Sequence, residues 1–267
     1  MTSVPTFGPR VQVRDVVLLR GLPPMIAVAC IAVAASGLVS VGEAALLAVI
    51  AALAAAHVVA NAVGGSETRI IAALSGRVAE PMRDARLLNI VDGLCSAFGL
   101  RAPRVIVVDS KEPNAITFAR RARHATLVVT SAALEDLDRI QLEALVAHEL
   151  AHLRRGDVER ASSIMRSLGY LARHSPRAAA LCARLGGVDR ESFADLAATS
   201  ITRYPPALAD TLELIDENRG EIASMLPREL VWLTSWQWCA PIERAGESWT
   251  TAVGMSLRER AQALREL

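Results

Sequence analysis

The chain has 267 residues, 52% of them hydrophobic and 21% charged, with a mean hydropathy of +0.31. These values exclude a disordered or fibrous protein and point to an apolar segment joined to an ordinary charged domain. Of the 29 basic residues only Lys111 is a lysine, yet the formal net charge is +1, which speaks against a dedicated nucleic-acid binder. Cys30, Cys95, Cys182 and Cys239 form no CxxC pair, so neither a cysteine zinc finger nor a disulfide framework is expected. Reduced thiols in the cytosol are the economical reading.

Charge is scarce near the N-terminus. Between Arg20 and Arg69 the only ionised side chains are Glu43 and Glu67. Gly21–Gly42 and Ala44–Ser66 are uncharged runs of 22 and 23 residues, each matching the roughly 20 helical residues that cross a bilayer core. Two adjacent helices of this length, apolar all round, are rare in soluble domains. Arg10, Arg14 and Arg20 precede the first run, and Arg69, Arg77, Arg83 and Arg86 follow the second. The connector around Ser40 and Glu43 carries no positive charge. Positive flanks stay inside, which predicts a cytoplasmic lead over 1–20, a transmembrane hairpin over 21–64 and a cytoplasmic remainder over 65–267. A leader cleaved at Ala34-Ala35-Ser36 is not expected, because the apolar run is too long and a second one follows it directly.

Beyond the hairpin, Ile70–Ala97 carries apolar residues at helical spacing, from Ile71, Leu74, Val78 and Met82 to Leu87, Leu88, Val91 and Leu94. Val105–Val108, closed by Asp109-Ser110, reads as a buried strand, and Lys111–Asn114 as a polar loop. Ala125–Thr130 reads as a second strand, offering an edge for an extended peptide, and Ser131 opens a helix. Leu142–Leu153 is helical and stops at Gly156, with Asp157 placed to cap the next helix. Further on, Arg166, Arg173, Arg177 and Arg184 share one helical face, and Pro176 divides the segment. That face is either solvated or laid on an anionic membrane surface.

The strongest chemical signal is His148-Glu149-Leu150-Ala151-His152. Residues four apart share a helix face, so both imidazoles reach one metal ion, and Glu149 sits where it can take a proton from water at that ion. A catalytic zinc usually has three protein ligands and one open position. Downstream candidates for the third are Asp157, Glu159, His174, Glu191 and Asp195. Glu191 and Asp195 are four apart, a spacing that allows one carboxylate to bind metal while the other holds a ligand histidine by its free ring nitrogen. Histidine and carboxylate ligands also accept manganese, iron or cobalt. No residue stands out as an oxyanion donor among His174, Tyr204 and the arginines.

These stretches, in order, resemble the HtpX-like membrane zinc metallopeptidases, relatives of the CaaX prenyl proteases. The resemblance is carried by Pro103–Asp109, Pro113-Asn114-Ala115, the strand Thr126–Thr130, the HELAH helix with Gly156-Asp157, Glu191-x-x-Ala194-Asp195, and Leu257-x-x-Arg260 with Leu264. It implies that His148, His152 and Glu191 bind one zinc ion per chain, that Glu149 is the general base, and that Asp195 supports a ligand histidine. The family commonly has a His-Pro pair before its closing helix, where this chain has Gly254-Met255. Some members also carry further spans after the zinc helix, in place of the arginine-faced segment found here.

The expected fold is mainly α with a small β-sheet: a transmembrane hairpin followed by a zincin-type peptidase domain. The expected function is a multi-pass inner-membrane metalloendopeptidase with its catalytic domain in the cytoplasm. Its partners are protein or peptide substrates and the lipid bilayer, with no nucleic acid and no further cofactor. By resemblance, its substrates are misfolded or unassembled membrane proteins. Two rivals stand beside this reading, a sensor-transducer membrane metallopeptidase and a non-catalytic zinc-binding adaptor. The loop between the spans is too short for a sensor domain, and an adaptor has no need of Glu149.

Overall fold

The computed structural model describes residues 13–36, 40–63, 66–119, 124–172, 176–187, 189–227, 230–231, 234, 237–242 and 254–267. The N-terminal lead, the Gly64-Gly65 hinge and His174 fall outside these residues. The described residues begin with two 23-residue helices, α1 (Val13–Ala35) and α2 (Val41–Val63), packed on each other. The first starts before the predicted boundary at residue 21, because Arg14, Asp15 and Arg20 end a hydrophobic run without ending a helix. Among the described residues no helix is long and apolar enough to cross a membrane. Side chains in α1 and α2 are described over 24–35 and 41–54, where Met25, Val28, Ile31, Leu46, Val49 and Leu53 are all exposed.

The helical pattern read across 70–97 is broken in two. Helix α3 (Ser66–Ala73) ends ahead of Gly76, and a short strand β1 (Arg77–Val78) precedes helix α4 (Ala85–Phe98). Gly76 passes so close to the sheet that a Cβ there would sit 2.7 Å from Cγ2 of Ile106. Val78 therefore belongs to a strand, and Met82, which fitted the helical period, is 95% exposed.

Strands β2 (Arg104–Val108), β3 (Ala115–Ala119) and β4 (Ala125–Thr130) join β1 in one sheet of order β1-β2-β4-β3. β2 pairs parallel with β4, while β1 and β3 run antiparallel to their neighbours. The edge nearest the chemistry is consequently β3, not β4 as the sequence reading expected. β4 is paired on both sides and has no free edge. β2 and β4 read as unbroken apolar runs because both faces of the sheet are covered.

On one face, Val105, Val107, Ala115, Leu127 and Val129 share a core with α4 and helix α6 (Arg139–Arg155). Helices α9 (Arg190–Thr202) and α10 (Pro205–Glu217) complete that layer. On the other face, Ile106, Val108, Ile116, Phe118 and Val128 pack with α3, helix α7 (Asp157–Ala172), helix α8 (Pro176–Gly186) and helix α11 (Glu221–Met225). A short helix α5 (Ser131–Glu135) leaves β4, and α12 (Leu257–Arg265) closes the chain. The architecture is thus mainly helical around a small mixed sheet. Pro176 divides α7 from α8 as expected; the side chains of Arg166 and Arg173 lie outside the described residues, and Arg177 and Arg184 are exposed. α7 also touches both α1 and α2, which ties the N-terminal pair to the helix that follows the histidine motif.

Candidate metal centre

Helix α6 is fixed at both ends by local chemistry. Asp138 and Gln141 form a reciprocal capping box at its start, with Gln141 N–H donating to Asp138 Oδ1 at 2.8 Å. At its end Gly156 adopts a left-handed conformation, φ 84°, and donates to the carbonyls of His152 and Leu153. Between these caps every residue from Ala144 to Leu153 is buried, His148, Glu149 and His152 included. Helix α9 lies across α6 and presents Glu191 in its first turn and Asp195 one turn later.

The two imidazoles meet nearly edge to face, with ring planes 87° apart. Their Nε2 atoms are 3.2 Å apart, Glu191 Oε2 is 3.2 Å from His148 Nε2, and Glu191 Oε1 is 3.5 Å from His152 Nε2. The opposite nitrogens face carboxylates: Nδ1 of His148 is 2.8 Å from Asp195 Oδ1, and Nδ1 of His152 is 3.3 Å from Asp157 Oδ2. A carboxylate at Nδ1 favours the proton there and leaves the lone pair on Nε2. Two ring nitrogens and a carboxylate oxygen then converge on one point, an arrangement that a shared cation would hold together. The spacing fits as well. Atoms bound about 2.0–2.1 Å from a tetrahedral ion lie about 3.3–3.4 Å apart. His148, His152 and Glu191 therefore form a group able to hold a metal ion.

The surrounding charges hold these carboxylates ionised. Burial alone would raise the Glu191 carboxyl, but Arg190, with Nε 2.7 Å away, and the two histidines hold it well below the usual carboxylate range. Burial likewise opposes ionisation of Asp195, and Arg260 and His148 overcome it. Arg260 is itself buried and donates from Nε and Nη2 to the two Asp195 oxygens, each at 2.8 Å. Its Nη1 donates to the Cys239 carbonyl at 2.8 Å. Glu149 Oε1 is buried and has no hydrogen-bond partner among the described residues.

The structure thus draws together His148, Glu149, His152, Glu191 and Asp195. Glu159 lies on α7 outside this group, and Tyr204 is exposed. Two residues gain a place that the sequence reading did not give them. Asp157, read as a helix cap, turns its carboxylate back to His152 and to Nε of Arg155 at 2.9 Å. The signal was the Gly156-Asp157 pair, since a left-handed glycine reverses the chain within reach of the histidine. Arg260, quoted only as part of a closing helix, grips Asp195 from α12; no local pattern relates two residues so far apart in the chain. Arg155 also lies over the Phe193 ring, 4.7 Å from its centroid, joining α6 to α9 a second time.

Comparison with known proteins agrees with this geometry. The profile of Peptidase family M48 matches residues 81–212. A protease HtpX homolog of Dictyoglomus thermophilum is 32% identical over 183 residues, covering 56% of this chain and 60% of its own length. One from Acidiphilium cryptum is 32% identical over 181 residues, covering 57% and 63%. One from Tropheryma whipplei is 31% identical over 186 residues, covering 54% and 64%. The chain spans about 60% of the length of the relatives it matches. No solved structure matches it.

Proposed function

The chain belongs to peptidase family M48 as an HtpX-like member, and from that premise we propose that it is a membrane-anchored, zinc-dependent metalloendopeptidase. The observation that carries the reading is the convergence of His148 Nε2, His152 Nε2 and the Glu191 carboxylate beside Glu149, whose Oε1 has no hydrogen-bond partner among the described residues. His148, His152 and Glu191 would hold the ion, and Asp195 would orient His148. The chemistry such an ion supplies is polarisation of the scissile carbonyl and activation of water. Glu149 takes the proton from the attacking water and passes it to the leaving amine. Burial of Glu149 keeps bulk water from competing for that proton.

The substrate strand would add at β3. Ala115 accepts at its carbonyl from Cys239 N–H at 3.0 Å, and Ala119 N–H donates to Ser162 Oγ at 3.4 Å, so the odd residues of β3 turn their backbone outward. Thr117, between them, shares that direction by the two-residue period of a strand; it is buried like the rest of β3, so an extended peptide would pair with its backbone only after displacing the segment that covers it. Because backbone groups make this contact, the sequence demands on the substrate would be loose.

The N-terminal pair would serve as a transmembrane hairpin over 21–64, with the peptidase domain, 65–267, at the cytoplasmic face of the cell membrane. What supports this placement is the sequence, in which the uncharged runs 21–42 and 44–66 each hold about the 20 residues that a bilayer core requires. The exposed apolar side chains of both helices and the arginines flanking them favour that placement. Misfolded or unassembled membrane proteins are the substrate class this arrangement suits. The test is hydrolysis of casein by the purified full chain in detergent. Cleavage should stop with a chelator and return on adding zinc, and chelator-insensitive cleavage would exclude a metal-dependent mechanism.

A further inference from the structure

Cys239 is buried beside the catalytic residues and has no part in the mechanism above. Its Sγ, a ring nitrogen of His148 and a carboxylate oxygen of Glu149 all lie within 4.8 Å of one another. The residue is not a loose end of the chain. Its N–H donates to the Ala115 carbonyl at 3.0 Å, and its carbonyl accepts from Arg260 Nη1 at 2.8 Å. Neighbouring Ala240 exchanges hydrogen bonds with the Asn114 side chain, at 3.2 Å to Oδ1 and 2.9 Å from Nδ2. Trp238, Cys239, Ala240 and Ile242 are all buried. With the backbone pinned on both sides, the thiol retains only its χ1 rotation, a choice among three staggered wells.

Two further features make this more than a buried thiol. Glu149, whose Oε1 has no hydrogen-bond partner among the described residues, belongs to the same cluster. His148 also belongs to both candidate metal groups, which makes the thiol and the His148–His152–Glu191 set neighbours through one imidazole. Around one zinc ion, with Zn–N about 2.0–2.1 Å and Zn–S about 2.3 Å, nitrogen and sulfur stand about 3.6 Å apart.

We propose that Cys239 is a fourth protein donor to the metal centre, so that the resting site is closed by the chain's own thiol. This rests on the metallopeptidase reading above. Thiol binding forms a metal–sulfur bond and releases the thiol proton to solvent. Rotation away reverses this and reopens the position a catalytic site needs for water. No oxidant or reductant takes part. Cys239 is held between the β3 edge and Arg260, so a peptide adding at Thr117 would arrive next to the segment that carries the thiol.

The experiment is cobalt substitution of the full chain in detergent, read by absorption and by cobalt content. Wild type should bind one cobalt per chain and show a near-ultraviolet thiolate-to-cobalt charge-transfer band. Cys239→Ser and Cys239→Ala should lose the band, keep cobalt, and cleave peptide faster than wild type. Cobalt bound by wild type without the band overturns the proposal alone, and needs no folded variant to do so. A band that persists in Cys239→Ala overturns it equally, by assigning the sulfur to another cysteine. Loss of the band with unchanged turnover overturns the closing role. Absence of bound cobalt in wild type overturns both this proposal and the metal centre itself.

Discussion

The Asp157 carboxylate lies 3.3 Å from Nδ1 of His152, the ring nitrogen opposite the one that faces Glu191. Five residues separate the two, a spacing that within a continuous helix would turn them onto different faces. Gly156 removes that obstacle: its left-handed φ ends α6 and starts α7 with Asp157 folded back over the last turn. Asp195 stands in the same relation to His148, at 2.8 Å. Each histidine therefore has its own carboxylate, one local in sequence and one supplied by α9.

Removing either support should weaken the metal without deleting a ligand. Asp157→Ala and Asp195→Ala should each cost about 10- to 100-fold in metal affinity, the usual effect of freeing a ligand imidazole. Glu191→Ala should cost more, because it leaves two protein donors where a catalytic site ordinarily has three. Zinc content after graded chelation should rank wild type first, the two aspartate variants next and Glu191→Ala last. If Glu191→Ala retains zinc while Asp157→Ala loses it, Asp157 is the ligand.

Much of this centre was legible because its chemistry is local. The HELAH motif sits on a helix whose stop signal, Gly156, is written in the sequence, and β4 followed from the run ATLVVT between polar breaks. The edge strand β3 was missed for a physical reason. AITFA, ending in alanine, follows a loop and has no turn residue at its far end, and its status as an edge depends on pairing with β4. The same limit hid Arg260 and Cys239, which reach the site from α12 and from the segment beside β3. Met82 misled in the opposite sense: it kept a helical period through a stretch that Gly76 had already turned into a strand and a loop.

Glu149→Gln preserves shape but cannot accept a proton at neutral pH. Zinc should remain bound, while cleavage falls by about 10²- to 10⁴-fold, the usual contribution of a general base. Metal analysis and a casein assay on the same preparation check both halves. Near wild-type cleavage by this variant would remove Glu149 from the mechanism.

The topology prediction follows from the arginine flanks. An impermeant thiol reagent applied to intact cells should label Gly42→Cys, at the start of α2, and leave Met82→Cys unlabelled until the cells are opened. Met82 is 95% exposed, so failure to label it from outside reports the membrane and not burial. The opposite pattern would invert the hairpin.

Arg260 gives the last prediction. Its guanidinium is buried against Asp195 through two 2.8 Å hydrogen bonds, with a third to the Cys239 carbonyl. Arg260→Met keeps the bulk but strands the Asp195 charge, and breaking one partner of a buried pair typically costs about 3–5 kcal/mol. Arg260→Lys should recover only part of this, since an ammonium cannot reproduce a two-pronged contact with one carboxylate. The pH dependence distinguishes lost pairing from lost packing. In wild type the folded Asp195 pKa is lowered, so its contribution is complete above the ordinary carboxylate value of about 3.9 and is lost as pH falls through the depressed one. In Arg260→Met only His148 still opposes burial, so that pKa rises from its wild-type position. Acid therefore takes less stability from the variant than from the wild type. Unfolding by denaturant in chelator-containing buffer should show a stability gap that is widest near neutral pH and narrows on acidification. A gap that stays constant with pH would mean that Arg260 matters for its packing and not for its hold on Asp195.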